Sequence, residues 1–570
     1  MIQRVLGWGS QNGRLAHLVV QTAVQIIIWS SVFLIIGQRN PLTESYLRED
    51  FVVLILGGAA LLLFGLSWAR LPKLPEFPAA RGLIWFLVFT VLAISAAGTS
   101  VIFFDTPLTR DEILANFDAK FLAAGHLVGS PPVEWRSYLD ALMPQFMLDV
   151  PASSGWLSAY LPGNAALRSI GMRTIGVEWV NPILAAVSIL LLYGVARRLW
   201  PQNRNVALVA ALLCASSAQV LTMAMAPFAM NAHLAFNLLW LWGFQRRGRF
   251  GDTLAIFAGL IATGLHQIIF HPLFVAPFIL HMWFNSERRR ATIYVAAYAI
   301  IGLFWASYWQ LVLSSAGEAG ASGAGPALLL SRVIGLLENA SMDAPLTMGA
   351  NLLRFAAWQN LALIPLAVAA WPAIQRGEGI SRPLAAGIAL TIVAMLVLLP
   401  WQGLGWGYRY LHGVIGNFCL LAGYGWINLG EDGRHRAFLA GATAVSLLAL
   451  LPLQLKHARD YAAPRARAVA LANRTDADVV IVVPAEDLYD DLVRNDPDLS
   501  NRPKFLDARK LTPAKVRDLC SRFRVEFFDI RHGMAAGLPH FIPRAKVGRY
   551  LARPSQVGCA TPIPLDWQGK

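Results

Sequence analysis

Residues 82–112 read GLIWFLVFTVLAISAAGTSVIFFDTPLTRDE: apolar from Gly82 to Phe104, then abruptly polar, ending on Arg110, Asp111 and Glu112. A helix needs about 20 apolar residues to cross roughly 30 Å of hydrocarbon. The stretch therefore reads as a membrane span that delivers two adjacent carboxylates to the bilayer edge. Runs of the same kind recur near 18–37, 51–69, 181–199, 205–224, 230–245, 252–269, 271–284, 291–313, 353–373, 383–400, 408–429 and 436–454. Together they predict an all-α polytopic membrane protein of about 13 transmembrane helices.

Composition points the same way. Hydrophobic residues make up 56% of the 570 and charged ones only 14%, against roughly 25% charge in ordinary soluble domains. The formal charge is +14, from 48 Lys+Arg against 34 Asp+Glu. Its arginines lie in short loops between apolar runs rather than along one stripe, which fits anionic membrane lipids as partners and argues against nucleic acid. With Arg4 and Arg14 in the cytoplasm, alternate loops carry Arg70/Lys73/Arg81, Arg197/Arg198/Arg204, Arg246/Arg247/Arg249, Arg288/Arg289/Arg290, Arg376/Arg382 and Arg434/Arg436. One phase of the positive-inside bias thus fits the whole chain. The first run, Leu18 to Ile36, has no small-residue cleavage site after it and reads as a retained span.

That phase puts two features outside: the loop 105–180 and a tail from about Lys456. Residues 1–81 then hold two N-terminal spans, 82–455 the membrane core, and 456–570 a soluble domain on the periplasmic side of an inner membrane. In the tail, Asp478-Val-Val-Ile-Val-Val-Pro reads as a strand, Leu511 to Phe523 as a helix capped by Thr512, and Val525-Glu-Phe-Phe-Asp-Ile as a second strand. A small α/β C-terminal domain is expected. The loop between Arg136 and Trp179 mixes apolar residues with Pro, Gly and aromatics and reads as short amphipathic helices on the membrane surface. The Gly/Ala/Ser stretch 314–325 reads as a mobile outer loop. Cys214 and Cys419 fall inside apolar runs, whereas Cys520 and Cys559 lie in the tail and form a disulfide if it is extracytoplasmic. No Cys/His cluster reads as a metal site.

Chemistry concentrates after the third span. Asp111 and Glu112 are either a poised base, partly desolvated and countered by Arg110, or an acid pair that caps the next helix. Late in the chain, Arg409 stands among Trp406, Tyr408 and Tyr410. It either holds a phosphate or snorkels to headgroups. His266 and His271 fall at a turn between two spans; either a broken turn aims both at a pocket, or lipid and backbone satisfy them.

Three elements carry a resemblance: Asp111-Glu112 followed by Phe117-Asp118-Ala119, then Tyr160-Leu-Pro162-Gly163, then Gly407-Tyr408-Arg409-Tyr410-Leu411. In order, spacing and side of the membrane they resemble the GT-C glycosyltransferases, above all the bacterial branch related to protein mannosyltransferases, aminoarabinose transferases and lipopolysaccharide galacturonosyltransferases. The resemblance covers roughly residues 82–430. It implies an inverting transferase that moves a sugar from a polyprenyl-phosphate carrier to a cell-envelope glycolipid or polysaccharide. No cofactor or metal is implied. Asp111, with Glu112 beside it, would be the catalytic base. Arg110, Tyr160, Pro162, Gly163, His233, His266, His271, Tyr408, Arg409 and Tyr410 would line the substrate site. The chain also departs from the family: Met225 to Ala232 contains no acid, Ala159 stands where relatives often have Lys, and His271-Pro272 where they place Arg-Pro.

Two other classes compete. A transporter or flippase of lipid-linked glycans would explain the spans, yet such proteins commonly carry ionisable residues near the midplane. A non-catalytic assembly subunit would use the tail for docking. The sugar, the acceptor and the oligomeric state are not specified by the sequence.

Overall fold

The computed structural model describes residues 11–37, 41–76, 81–148, 155–315, 334–335, 343–430, 432–539 and 544–565. Most of them are helical, and the chain is a multi-pass membrane protein. Among the described residues, six helices are long and apolar enough to cross a bilayer: Gly13–Ile36, Thr43–Leu66, Gly82–Val101, Val177–Leu199, Ser381–Leu398 and Gly433–Ala472. The number rises to 8 if each of two bent pairs counts as one span. Every apolar run folds as helix in one or more pieces, but the expected 13 spans are not reproduced on this criterion.

Hydropathy does not show where a helix breaks. The run 205–224 splits into Arg204–Ala215 and Ala218–Ala224, bent by 55°, because the Ser217 hydroxyl accepts from the Val220 N–H at 3.3 Å and starts a new helix. Large apolar side chains face outward on these helices, among them Ile28, Leu63, Phe86, Phe89, Ile300, Leu303 and Leu448. In water such a surface would aggregate; in hydrocarbon it is solvated.

One ion pair lies inside this region. Asp50 accepts from Arg354 Nε at 3.2 Å and from Trp358 Nε1 at 2.7 Å, and Arg354 Nη2 donates to the Gly405 carbonyl at 2.9 Å. The pair therefore sits beside the Gly405–Arg409 segment, with Arg354 Nη1 left unpartnered.

The C-terminal part carries a four-stranded parallel sheet, β1 (Val479–Val482), β2 (Lys504–Asp507), β3 (Val525–Phe528) and β4 (Thr561–Pro562), in the order β2-β1-β3-β4. Both expected strands are present, and the helix Pro513–Arg522 begins at Thr512, whose hydroxyl accepts from Lys515 N at 3.3 Å. Cys520 and Cys559 are disulfide-bonded, with Cα atoms 6.2 Å apart.

A parallel sheet buries both faces, and here the two sets of neighbours differ. Val480 and Val482 pack with Ala468 and Leu471 at the end of the last long helix. Val479 and Ile481 pack with Phe117, Phe121, Trp135 and Trp156 of the outer loop. This corrects the expectation of surface-lying amphipathic helices for part of that loop. Trp135, Tyr138, Leu139 and Leu142 are buried against the sheet, which gives their apolar sides a protein partner in place of lipid. Most of the stretch 314–325 lies outside the described residues.

Candidate active site

Thr109 opens the helix Arg110–Ala123, and Glu112 turns back to finish the cap. Its Oε2 accepts from the Leu108 and Thr109 N–H groups, each at 2.8 Å, and from the Thr109 hydroxyl at 3.1 Å. These are donors that a helix start leaves unsatisfied. Burial pushes the Glu112 carboxyl up to about 7 despite them. Its neighbour faces the other way: positions 111, 115 and 118 share one stripe at helical spacing, and Asp111, Ala115 and Asp118 all line one pocket.

Three chain segments meet at Asp111. Oδ2 accepts from Arg409 Nη1 at 2.7 Å, and Oδ1 accepts from the Tyr160 hydroxyl at 2.6 Å. Both charged side chains are nearly buried, with 12% of Asp111 and 8% of Arg409 exposed. Burial alone would raise the Asp111 pKa. Arg409, then His266 and Tyr160, outweigh it and hold the carboxyl below its ordinary value, so Asp111 is ionised. The His266 ring lies 4.1 Å from that of Tyr160, and burial lowers its pKa to about 4, leaving the imidazole neutral.

The Tyr160–Gly163 turn is fixed from behind. Leu161 N donates to His266 O at 3.1 Å, Gly163 N to Gly264 O at 2.8 Å, and Asn164 N to Leu265 O at 3.1 Å. A Cβ on Gly163 would stand 2.6 Å from Gly264 O. Only glycine permits this approach, so one motif positions both Tyr160 and His266.

Arg409 is held by amides. Gln402 Oε1 accepts from Arg409 N at 2.9 Å, and its Nε2 donates to Gly407 O at 2.8 Å. Gln219 Nε2 donates to Tyr408 O at 3.0 Å, while Gln359 Nε2 donates to Gln219 Oε1 at 3.0 Å. Gly407 has φ +68°, the left-handed region, with the Gln219 amide packed against it. The guanidinium lies 5.4 Å from the Tyr410 ring and 5.6 Å from that of Phe228, and its Nε has no partner.

Asp111, Tyr160, His266, Arg409 and Tyr410 are thus brought together, with Pro162 and Gly163 forming the turn. Others stand apart. Arg110 hydrogen-bonds Gln145 and pairs with Asp491 of the C-terminal part at 3.4 Å. His271 is satisfied on both nitrogens, by Asn237 Oδ1 and the Tyr298 hydroxyl, each at 2.7 Å. His233 packs 5.4 Å from Phe270, with both ring nitrogens unpartnered. Tyr408 is fully buried and its hydroxyl is unpartnered.

Gln402 carried no signal in the sequence. Asp118 was read as part of a motif but given no place in the site, although it stands seven residues after Asp111, on the same helical face. Among the described residues, no group of three or more His, Cys, Asp or Glu side chains is placed to hold a metal ion.

No family model and no curated protein matches the chain. Among solved structures it is similar to ArnT from Cupriavidus metallidurans bound to undecaprenyl phosphate, at 13% identity over 78% of this chain and 95% of that one, with a TM-score of 0.49. It is also similar to the apo state of the same protein, at 14% identity over 73% and 85%, with a TM-score of 0.44.

Proposed function

We propose that the protein is an inverting glycosyltransferase that takes a sugar from a polyprenyl-phosphate carrier and passes it to a glycolipid or polysaccharide hydroxyl of the cell envelope. The observation that carries this reading is the Asp111 carboxylate, held at once by Arg409 and Tyr160 from segments 298 and 49 residues away. A base and a phosphate-binding cation here share one nearly buried site, and its hydrogen bonds come from the motifs that resemble the family.

In this reading the carrier phosphate takes Arg409 from Asp111, and its charge is matched by a guanidinium able to hold two oxygens. Freed of its cation while still buried, Asp111 becomes a stronger base. It removes the acceptor hydroxyl proton as the acceptor oxygen bonds to the anomeric carbon. The bond from that carbon to the phosphate oxygen breaks, and its electron pair leaves with the lipid phosphate. Attack opposite the leaving group inverts the anomeric carbon. Tyr160 and His266 orient Asp111. No resident cofactor enters the scheme. The disulfide Cys520–Cys559 supports an outer-face location, since such bonds persist in oxidising compartments. The termini are then a cytoplasmic N-terminus and a periplasmic tail.

The test is transfer by purified protein, using a panel of polyprenyl-phosphate sugars with envelope lipid extract, beside Asp111→Asn and Arg409→Ala. Transfer by the wild type that both well-folded variants lose is the expected result. Transfer that survives Asp111→Asn sinks the proposed base. No transfer with any donor, combined with carriage of a lipid-linked glycan across vesicles, favours the flippase reading.

A further inference from the structure

The two N-terminal spans lie outside the motifs that carry the resemblance, yet one of them reaches the loop that leads to Arg409. Asp50 stands on the helix Pro41–Leu66 and Arg354 on the helix Ala344–Ala357, and the two residues are only 3% and 2% exposed. Taking both charges out of water is so unfavourable that an apolar pair of similar volume often serves stability as well or better. Stability alone therefore does not account for the pair. Ionisable side chains inside membrane segments usually mark function.

The contacts of the pair show what it holds. Arg354 gives Nε to Asp50 at 3.2 Å and Nη2 to the Gly405 carbonyl at 2.9 Å. One guanidinium fork thus ties the helix Pro41–Leu66 to the main chain of the Gly405–Arg409 segment. The Tyr46 ring covers it, 4.4 Å away. Asp50 Oδ1 accepts from Trp358 Nε1 at 2.7 Å, and Trp358 packs on the same segment. A Cβ on Gly407 would stand 2.9 Å from Trp358 Cβ, and the Trp406 ring lies 5.9 Å from that of Trp358. The Trp358 carbonyl accepts from Gln219 N at 3.0 Å, and Gln219 in turn holds the Tyr408 carbonyl. A Cβ on Gly405 would stand 2.9 Å from Arg409 Cδ, so a shift of the Gly405 main chain presses on the Arg409 stem. Amides orient Arg409, and the charged pair anchors what the amides hold. None of these contacts engages the Arg409 guanidinium, which stays free to turn from Asp111 to a phosphate.

We propose that Asp50 and Arg354 are positioning residues for Arg409: they fix the Gly405–Arg409 main chain and with it the binding of the carrier phosphate, which makes the helix Pro41–Leu66 a working part of the transferase. The inference rests on the glycosyltransferase reading and deepens it. Both residues act through Arg409, and neither takes part in the chemistry.

The experiment uses the full chain in detergent. It measures thermal unfolding, the dissociation constant for undecaprenyl phosphate, and KM and kcat with a polyprenyl-phosphate sugar that the wild type transfers, varying donor and acceptor separately. Asp50→Asn and Arg354→Met each strand one buried charge, so each alone is expected to lower the unfolding midpoint. Combined, they leave no charge behind, and Asn keeps an acceptor for Trp358 Nε1. The double variant is therefore expected to recover most of the lost midpoint while still lacking the donor to the Gly405 carbonyl. Its donor KM and its dissociation constant for undecaprenyl phosphate are expected to stay roughly tenfold above wild type, with the acceptor KM unchanged. Arg354→Lys keeps a cation for Asp50 without the fork that also reaches Gly405. It is expected to unfold near the wild-type midpoint and to show the same rise, which decides the matter even if the double variant does not fold.

Wild-type affinity for undecaprenyl phosphate in a well-folded double variant or in Arg354→Lys overturns the positioning role, leaving a pair that only joins two spans and a transferase that still stands. Donor and acceptor KM values that rise together overturn it as well, since general loosening explains them. Wild-type protein that neither binds undecaprenyl phosphate nor transfers a sugar removes both readings.

Discussion

The helix Arg110–Ala123 has two faces held by different means. Toward the membrane core, Asp111 meets Arg409 and Tyr160, whose own positions are set by neutral amides and backbone hydrogen bonds from Gln402, Gln219, Gly163 and Gly264. Toward the C-terminal sheet, Phe117 and Phe121 are buried among Val479, Ile481 and Leu506. Ion pairs Arg110–Asp491 and Lys120–Asp496 stand at the rim of that face. The difference is one of division of labour. On the core side a single ion pair does the proposed chemistry and uncharged groups orient it. On the sheet side apolar burial holds the helix, and charge sets the register at most.

Breaking the core side has the largest expected effect. Asp111→Asn is expected to lower kcat by about 10²- to 10⁴-fold, the usual contribution of a positioned base, and to lower thermal stability as well, because Arg409 is left buried without its counter-charge. The pH profile of kcat/KM, which reports the free enzyme, sharpens this. Arg409, His266 and Tyr160 hold Asp111 below the ordinary carboxylate value there, so kcat/KM stays high down to acid pH and fails only below that value. Arg409→Gln removes the largest lowering influence and leaves burial to dominate, so the residual activity should lose its acid limb at higher pH. A limb that does not move would mean Arg409 does not set the charge of Asp111.

Breaking the sheet side is next. Phe121→Ala is expected to cost about 3–5 kcal/mol, as buried Phe truncations do, and to loosen the sheet from the helix. Limited proteolysis within residues 473–565, followed against temperature, reads this directly. Activity that falls in step with cleavage would show that the sheet holds Asp111 in place. Full activity with a readily cleaved tail would make the tail an independent unit.

A smaller effect tests the amide frame. Gln402→Ala removes the acceptor for Arg409 N and the donor to Gly407 O. Leaving these buried groups unmatched costs about 1–3 kcal/mol. Donor KM is expected to rise about tenfold with the acceptor KM unchanged, because Arg409 would be displaced from the phosphate while Asp111 stays on its helix. An equal change in both would point to general loosening.

What the sequence disclosed follows from the range of the interactions. The capped helix after the third span was legible because Thr109, Asp111 and Glu112 are neighbours. The strand at Val479–Val482 and the helix begun by Thr512 were legible for the same local reason. His271 was not. Its partners Asn237 and Tyr298 are 34 and 27 residues away on other helices, and nothing in its flanks distinguishes a satisfied core histidine from one that faces a pocket. The count of about 13 spans is not confirmed, and hydropathy, which records apolar length, is blind to the Ser217 cap that bends one of the runs. The packing of the sheet on Phe117 and Phe121, across more than 350 residues, was beyond any local signal.

The rim pairs give the smallest effect and the cleanest separation of the two faces. The Lys120 side chain is 46% exposed and that of Asp496 is 27% exposed, so solvent and salt screen the pair. Exposed pairs of this kind contribute about 0–1 kcal/mol. Lys120→Ala should therefore shift the unfolding midpoint slightly at low salt, and by less in about 1 M salt, where screening acts within roughly 3 Å. Arg110–Asp491 is better buried, with side-chain exposures of 24% and 10%. Burial raises the Asp491 carboxyl to about 6 even with Arg110 beside it. In Arg110→Ala that carboxyl loses its first counter-charge and titrates higher still, so the variant should differ from wild type most between neutral and mildly alkaline pH, where Asp491 would otherwise be charged. Kinetics measured on both variants then carry the argument. If Lys120→Ala and Arg110→Ala leave KM and kcat unchanged at every salt concentration, the sheet side is purely a support and the chemistry depends on the core side alone. If Arg110→Ala lowers kcat in a salt-independent way while Lys120→Ala does not, the charge next to Asp111 in sequence also matters to its position in space.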